Sequence, residues 1–228
     1  MIKFLKTAIA TAVVVFAGAA SAAPTVFDFT SLTPFSGGAA GTGAGALGCG
    51  FNSGNDICGT SMTFAQGALT ATATATYLGS SMNGTKSVRV VQDWNGTQAA
   101  RYVGLGVYHK INDTSDDNLT IGEMLTLTFS QTVTLTGLNF RAEGHGLYND
   151  LDDTFMFNGS SKLLAPSISG MSVTGKTFTF GFGGVDADQY YLSGMTVTAV
   201  PEPETYAMML AGLGLMGAIV RRRKAKIA

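Results

Sequence analysis

Short stretches of this chain alternate strictly between apolar and polar positions, which is the period of a β-strand with one buried face. The clearest is ALTATATATY at 68–77, in which the threonines share one face and the alanines share the other. SVRVVQ at 87–92 is its predicted partner strand. TVFDFT at 25–30 and YYLSGMTVTAV at 190–200 predict strands at the start and the end of the same body.

A longer segment, MLTLTFSQTVTLTGLNF at 124–140, carries the same alternation twice. Inward residues at 125, 127 and 129, and then at 133 and 135, predict a hairpin with its turn at 130–132. The inward phase changes from odd to even positions at Gly137, which predicts a β-bulge there. A second hairpin is predicted around Asn158-Gly159, and KTFTFGF at 176–182 predicts a strand with its phenylalanines on one face.

No stretch between residues 23 and 200 has a helical period, and Gly, Asn, Asp and Ser clusters separate the short alternating segments. The length of this body suits one domain with a single core. The sequence therefore predicts an all-β fold, a single-domain jelly-roll-like β-sandwich over residues 23–200.

The N-terminus has the pattern of a secretory signal peptide. Lys3 and Lys6 precede an apolar run at 8–17, and the small residues Ala20, Ser21 and Ala22 follow it. This order of a basic start, an apolar run and a small-residue cleavage site is typical of exported proteins. We expect residues 1–22 to be removed by signal peptidase.

The tail at 201–228 has three parts: a Pro-Glu-Pro motif, an uncharged segment at 205–220, and three arginines. The uncharged segment would span about 24 Å as a helix, against ~30 Å for the hydrocarbon core of a bilayer. We nevertheless expect a C-terminal transmembrane helix that contacts the membrane before processing, with the arginines on the cytoplasmic side. The residues that define the two flanking motifs are Pro201, Glu202, Pro203, Arg221, Arg222 and Arg223.

In the order of these three parts, the tail resembles the PEP-CTERM sorting tail. The resemblance implies an exported protein of a Gram-negative bacterium, held as an inner-membrane intermediate and recognised there by an exosortase. It also implies a final place at the cell surface or in the extracellular matrix of a biofilm or floc, with exopolysaccharide as an implied partner. No enzymatic activity follows from it.

The charge of the body excludes one class of binding partner. Between residues 23 and 200 there are 13 Asp and Glu against 7 Lys and Arg, so the exported part is acidic and nucleic acid is excluded as a partner.

The two cysteines, Cys49 and Cys58, flank a Gly- and Asn-rich turn. In an oxidising compartment they are expected to form a disulfide that stabilises the fold by roughly 2 to 3 kcal/mol.

Acidic residues gather between 113 and 153, which suggests a site for a hard cation. Calcium takes six to eight oxygen ligands, and loops of a sandwich could supply several. The spacing is not that of an EF-hand, and solvated acidic turns are the alternative interpretation. The candidate calcium ligands are Asp113, Asp116, Asp117, Glu123, Asp150, Asp152 and Asp153. Calcium is the one cofactor that the sequence suggests.

Motifs of the common hydrolases are absent, and only His109 and His145 offer an imidazole base. The sequence therefore predicts a non-catalytic protein of the cell surface or matrix. A carbohydrate-binding module is the alternative, with Trp94 as the ring that would stack on a sugar. A glycosidase with paired carboxylates and an ice-binding protein with a threonine face are further alternatives.

Overall fold

The computed structural model describes residues 22–34, 39–40, 56–78, 88–94, 102–109, 117–149, 152–183, 188–201 and 203–225. These residues form strands throughout the body and one helix, α1, at Pro203–Ala225. The strands are β1 Pro24–Asp28, β2 Ala39–Ala40, β3 Ile57–Gly59, β4 Ser61–Gln66, β5 Leu69–Tyr77, β6 Arg89–Trp94, β7 Tyr102–Tyr108, β8 Glu123–Ala142, β9 Thr154–Phe157, β10 Ser160–Leu163, β11 Ser167–Phe182 and β12 Tyr190–Ala199. The all-β prediction is confirmed.

The long strand β8 organises the sheet, and its neighbours all run antiparallel to it. Its first half, residues 123–129, pairs with β5, and its second half, residues 133–142, pairs with β12. On its other edge β11 pairs with both halves. The order along the hydrogen-bonded path is β10-β9-β11-β8-β12-β7-β6-β3-β2, with β1 added to β12 and β4 to β5.

All twelve strands belong to one hydrogen-bonded sheet, and buried aromatic rings form much of its core. The ring of Phe27 on β1 meets Phe129 on β8 edge-on at 5.5 Å, and Phe29 meets Phe64 on β4 at 5.1 Å. β1 is hydrogen-bonded to neither β4 nor β8, so the contact of Phe27 with Phe129 joins strands that are not neighbours in the sheet. Buried rings contribute much of the apolar surface removed from water. Ring contacts between strands that are not hydrogen-bonded neighbours are typical of a sandwich-like fold. The jelly-roll order stays a prediction.

Several local predictions are confirmed. Ala71 and Ala73 of β5 are fully buried, while the threonines between them are partly exposed. Pairing on both sides of β8 shifts register next to Gly137, as expected of a bulge. The turn between β9 and β10 is formed by Asn158 and Gly159, both with positive φ, which is the conformation that an Asn-Gly hairpin turn requires.

Two predictions about strand pairing are wrong. Residues 130–132 do not form a turn, because β8 continues through them as one strand of 20 residues. The segment Ser130-Gln131-Thr132 holds no Gly, Asn, Asp or Pro, so nothing in it favours the positive φ of a tight turn. β6 pairs with β3 and β7 and not with β5, whose partners are β4 and β8.

The outer face of β4, β5, β8 and β11 carries rows of threonines. Thr72 lies opposite Thr63 on one side and Thr128 on the other, and Thr128 lies opposite Thr177. The hydroxyls bond in pairs, Thr63 to Thr72 at 3.1 Å and Thr128 to Thr177 at 3.3 Å. Such cross-strand threonine pairs are the ordinary stabilising contacts of a solvent-facing sheet.

The C-terminal helix α1 includes the predicted segment 205–220 and extends beyond it at both ends. Its transmembrane assignment is corrected: within the described residues, no helix combines the length and the apolar character that crossing a bilayer demands. The uncharged segment is too short, and the flanking turns add Glu204 and the arginines rather than apolar residues.

Candidate functional site

Five polar side chains from distant parts of the chain meet at one end of the sandwich. We call them the polar cluster; its members are Asp56, Asp93, Asp117, His145 and Tyr191. They come from the residue before β3, from β6, from the loop before β8, from the loop after β8 and from β12. Two of the carboxylates, Asp56 and Asp93, are almost fully buried, which is unusual for charged groups.

His145 is fixed against the buried carboxylate of Asp93. Its Nε2 lies 3.1 Å from Asp93 Oδ2, and the two side chains are 36% and 2% exposed. The backbone of His145 has a φ of 66°, and its carbonyl accepts a hydrogen bond from Arg141 Nη1 at 3.1 Å. The adjacent carboxylate of Asp93 raises the pKa of His145, although burial works in the opposite direction. The ion pair therefore anchors the loop at 143–147 over the sheet.

Asp117 and Tyr191 form the second contact of the cluster. The phenol of Tyr191 donates to Asp117 Oδ1 at 2.6 Å. Burial, and next the charge of Asp93, raise the pKa of Asp117 to about 6, against the lowering effect of the Tyr191 hydrogen bond. Burial also raises the pKa of Tyr191, with the two carboxylates adding to the effect. Tyr191 is thus a neutral donor, and the Asp117 carboxyl keeps its proton to a higher pH than an ordinary aspartate.

Gly106 on β7 lets the loop that carries Asp117 approach the sheet. A Cβ atom built on Gly106 would lie 1.8 Å from the carbonyl oxygen of Asp117. Any residue other than glycine would displace this loop, and with it the Asp117 carboxylate.

Asp56 connects the cluster to the predicted ligand residue Trp94. Its Oδ1 accepts the backbone N–H of Trp94 at 2.9 Å, and the carboxyl is almost fully buried. The indole of Trp94 packs edge-on against Tyr102 with ring centroids 5.2 Å apart. Burial, followed by the charge of Asp56, raises the pKa of Tyr102. Trp94 is therefore half-buried in an aromatic pair, and its role as a sugar platform stays a prediction.

Beside the cluster, the outer face of the sheet forms a concave site of about 470 Å³, which we call the surface pocket. Arg141 and Leu147 line it and flank the loop that His145 anchors. The other walls come from β1, β11 and β12. A volume in this range is typical of small-molecule sites. The pocket has one carboxylate, Asp28, among its lining residues.

The predicted calcium ligands are not brought together where the structure describes them. Asp113, Asp116 and Asp150 lie outside the described residues. Among described residues, no three His, Cys, Asp or Glu side chains form a group that could hold a metal ion. Asp117 belongs to the polar cluster, and Asp153 accepts the phenol of Tyr148. Asp152 lies exposed at the start of the segment that leads to β9. Calcium binding stays a prediction.

Glu123 has a separate, structural environment. Its Oε1 lies 2.6 Å from Nδ1 of His109, and its Oε2 accepts the backbone N–H of Thr120 at 2.8 Å. The ring of His109 stacks on Tyr77 with centroids 3.9 Å apart. These contacts close the start of β8 against the end of β5.

Of the two cysteines in the predicted disulfide, Cys58 alone lies within the described residues. Cys58 is buried in β3, and the described part of the chain contains no free cysteine. Cys49 lies outside the described residues, so the pairing stays a prediction.

The sequence did not identify Asp93 or Arg141 as site residues. Asp93 could have been noticed, because it is a charge within the apolar strand segment VVQDW. Arg141 gave no signal, since a charged residue on the outer face of a strand is ordinary.

The sorting motif occupies the end of the chain as predicted. Pro201 lies two residues after the end of β12, Glu202 lies outside the described residues, and α1 starts at Pro203. Residues 199–224, which include Arg221, Arg222 and Arg223, match the family model of the PEP-CTERM protein-sorting motif. No curated protein and no solved structure matches the chain.

Proposed function

We propose that this chain, which carries a PEP-CTERM protein-sorting motif at residues 199–224, is sorted by an exosortase to the bacterial cell surface or extracellular matrix. There its β-sandwich serves as a non-catalytic component of the matrix. The motif itself supports export and processing by an exosortase, and the further steps are our proposal.

The observation that carries the proposal is the exposure of α1. Every side chain described between 207 and 222 is exposed, including Met208 at 74% and Leu215 at 65%. A helix with its side chains exposed contributes little to the stability of the sandwich, because it buries little surface against it. The helix can therefore be recognised and removed without a cost to the fold.

The junction between body and tail supports the same conclusion. β12 ends at Ala199, and the N–H of Val200 still donates to the carbonyl of Thr132 at 3.0 Å. Cleavage after Val200 would leave every pair of β12 in place. Pro201 and Pro203 disfavour helix in the residue before each of them, so the junction suits the extended conformation in which proteases bind their substrates.

The body suits a matrix role rather than catalysis. Asp93 contacts His145 and Tyr191 donates to Asp117, and we assign these contacts a structural role. Of the pockets lined by described residues, the surface pocket contains Asp28 and another contains Glu123, and neither contains a pair of carboxylates. A glycosidase needs such a pair beside the scissile bond.

The test is genetic. The gene is deleted in the host and complemented with the full chain or with a chain that ends at Val200. We expect loss of floc or biofilm and of matrix-retained polysaccharide on deletion, with recovery by the full chain alone. Recovery by both chains would refute the need for sorting. An unchanged biofilm and polysaccharide yield on deletion would refute the matrix role.

A further inference from the structure

We propose that the surface pocket is a binding site for a neutral sugar residue of a glycan. The pocket is built from one row of residues that crosses four strands. Asp28 on β1 lies opposite Gly194 on β12, Gly194 lies opposite Asn139 on β8, and Asn139 lies opposite Ser167 on β11. All four residues line the pocket.

Gly194 makes this row concave. Register shifts on β12 between Leu192 and Gly194, and a Cβ atom on Gly194 would lie 3.2 Å from the carbonyl oxygen of Phe27 and 3.3 Å from Asn139 Nδ2. Gly194 therefore contributes only backbone to the pocket, and the Asn139 amide lies against it on one side. Glycine in a strand commonly marks a place where a ligand approaches closely.

The walls offer donors and acceptors in alternation. The carboxylate of Asp28 is held by Thr30, whose N–H and hydroxyl donate at 3.0 and 2.6 Å. Asn139 presents an amide, and Ser167 presents a hydroxyl. Arg141 uses one N–H on the carbonyl of His145, and a guanidinium has five. A ligand with many hydroxyls, each both donor and acceptor, satisfies such a set.

The rim of the pocket carries two exposed apolar side chains that can pack against the C–H face of a sugar. Val26 is 49% exposed at one side, and Leu147 is 70% exposed at the other. Leu147 belongs to the loop that the ion pair of His145 with Asp93 anchors. The wall that Leu147 forms is thus in place before a ligand arrives, which reduces the cost of binding.

The charges in and around the pocket favour a neutral ligand over an anionic one. The one cation that lines the pocket, Arg141, is accompanied by the carboxylate of Asp28. The body as a whole has 13 acidic against 7 basic residues, and this excess repels a polyanion on approach. The site therefore suits neutral hexoses or N-acetylhexosamines better than uronic acids.

The experiment uses the chain as purified from the medium or the cell surface. It is probed with oligosaccharides of neutral hexose, of N-acetylhexosamine and of uronate on an array, and the bound species are titrated by calorimetry. We expect binding of a neutral species, weakened about tenfold or more by Asn139→Ala and abolished by Ser167→Trp. Ser172→Trp is the matched control, because Ser172 is exposed on the same strand and does not line the pocket.

Circular dichroism and a thermal melt on each variant verify folding, and the two pocket variants act through different walls. Preference for uronates would overturn the neutral class, and no binding to any probe would overturn the site. Binding lost in Trp94→Ala but kept in both pocket variants would place the site on the Trp94 and Tyr102 pair instead. None of these results affects the sorting proposal, which rests on the tail.

Discussion

Replacing Asp117 with asparagine should make the protein more stable at neutral and alkaline pH. The carboxyl is held in the fold with a pKa of about 6, compared with 3.8 for an ordinary aspartate, chiefly because it is buried and lies near Asp93. An asparagine side chain keeps an oxygen that can accept the phenol of Tyr191, which now bonds at 2.6 Å. The substitution thus removes the buried charge and keeps the contact.

The magnitude follows from linkage between proton binding and folding. Because the folded pKa is raised, the folded state holds the proton more tightly than the unfolded state. The stabilisation of the folded state by this proton is complete below pH 3.8 and is lost as the pH rises through about 6. A shift of about two units corresponds to roughly 3 kcal/mol at 1.36 kcal/mol per unit, reduced to about 2 by the partial exposure of the group.

The assay is urea unfolding of the two proteins between pH 4 and pH 8. The free energy of unfolding of Asp117→Asn minus that of the parent should rise by about 2 to 3 kcal/mol across this range, mostly below pH 6.5. Asp188→Asn is the control, because it removes a carboxylate that is exposed rather than buried. A flat difference for Asp117→Asn would refute a buried, proton-retaining carboxyl at this position.

Three further predictions concern other parts of the sandwich. Gly106→Ala should lower the melting temperature and cost about 3 kcal/mol or more, because its Cβ would meet a carbonyl oxygen at 1.8 Å. Gly144→Ala, which meets nothing within 4 Å, should cost much less. The NMR titration of His145 should give a pKa above the usual value of about 6.5, so that stability from its ion pair is present below that pH and lost as the pH rises further. The unreduced protein should be two hydrogens lighter than the reduced one, and the deficit should lie in the single tryptic peptide ending at Lys86, which contains both Cys49 and Cys58 because no Lys or Arg separates them.

Local patterns predicted the parts of the fold that depend on neighbouring residues. The alternation of 68–77 predicted β5, and Asn158-Gly159 predicted the β9–β10 turn, because in each case the deciding contacts are a few residues away. The predicted pairing of β6 with β5 was wrong. Many alternating strands in one sequence can pair with each other, so alternation alone does not identify the partner. The partner of a strand is decided by how its side chains are buried in the folded sheet, and the order of residues along the chain does not show this.

The polar cluster and the surface pocket were beyond sequence reasoning for the same reason. Tyr191 donates to Asp117 across 74 positions of the chain, and nothing near either residue indicates the other. The row from Asp28 to Ser167 exists only because four strands are in a particular register, and a shift of one residue would turn each side chain to the other face. The tail was predictable because its three parts are contiguous.

The mass of the mature C-terminus tests the sorting claim most directly. The protein is extracted from the surface of cells with and without the exosortase, and its intact mass is measured together with its C-terminal peptide. We expect the helix Pro203–Ala225 to be absent from the protein of cells that have the enzyme and present in cells that lack it. A chain that keeps residues 203–228 in both kinds of cell would contradict sorting by this tail.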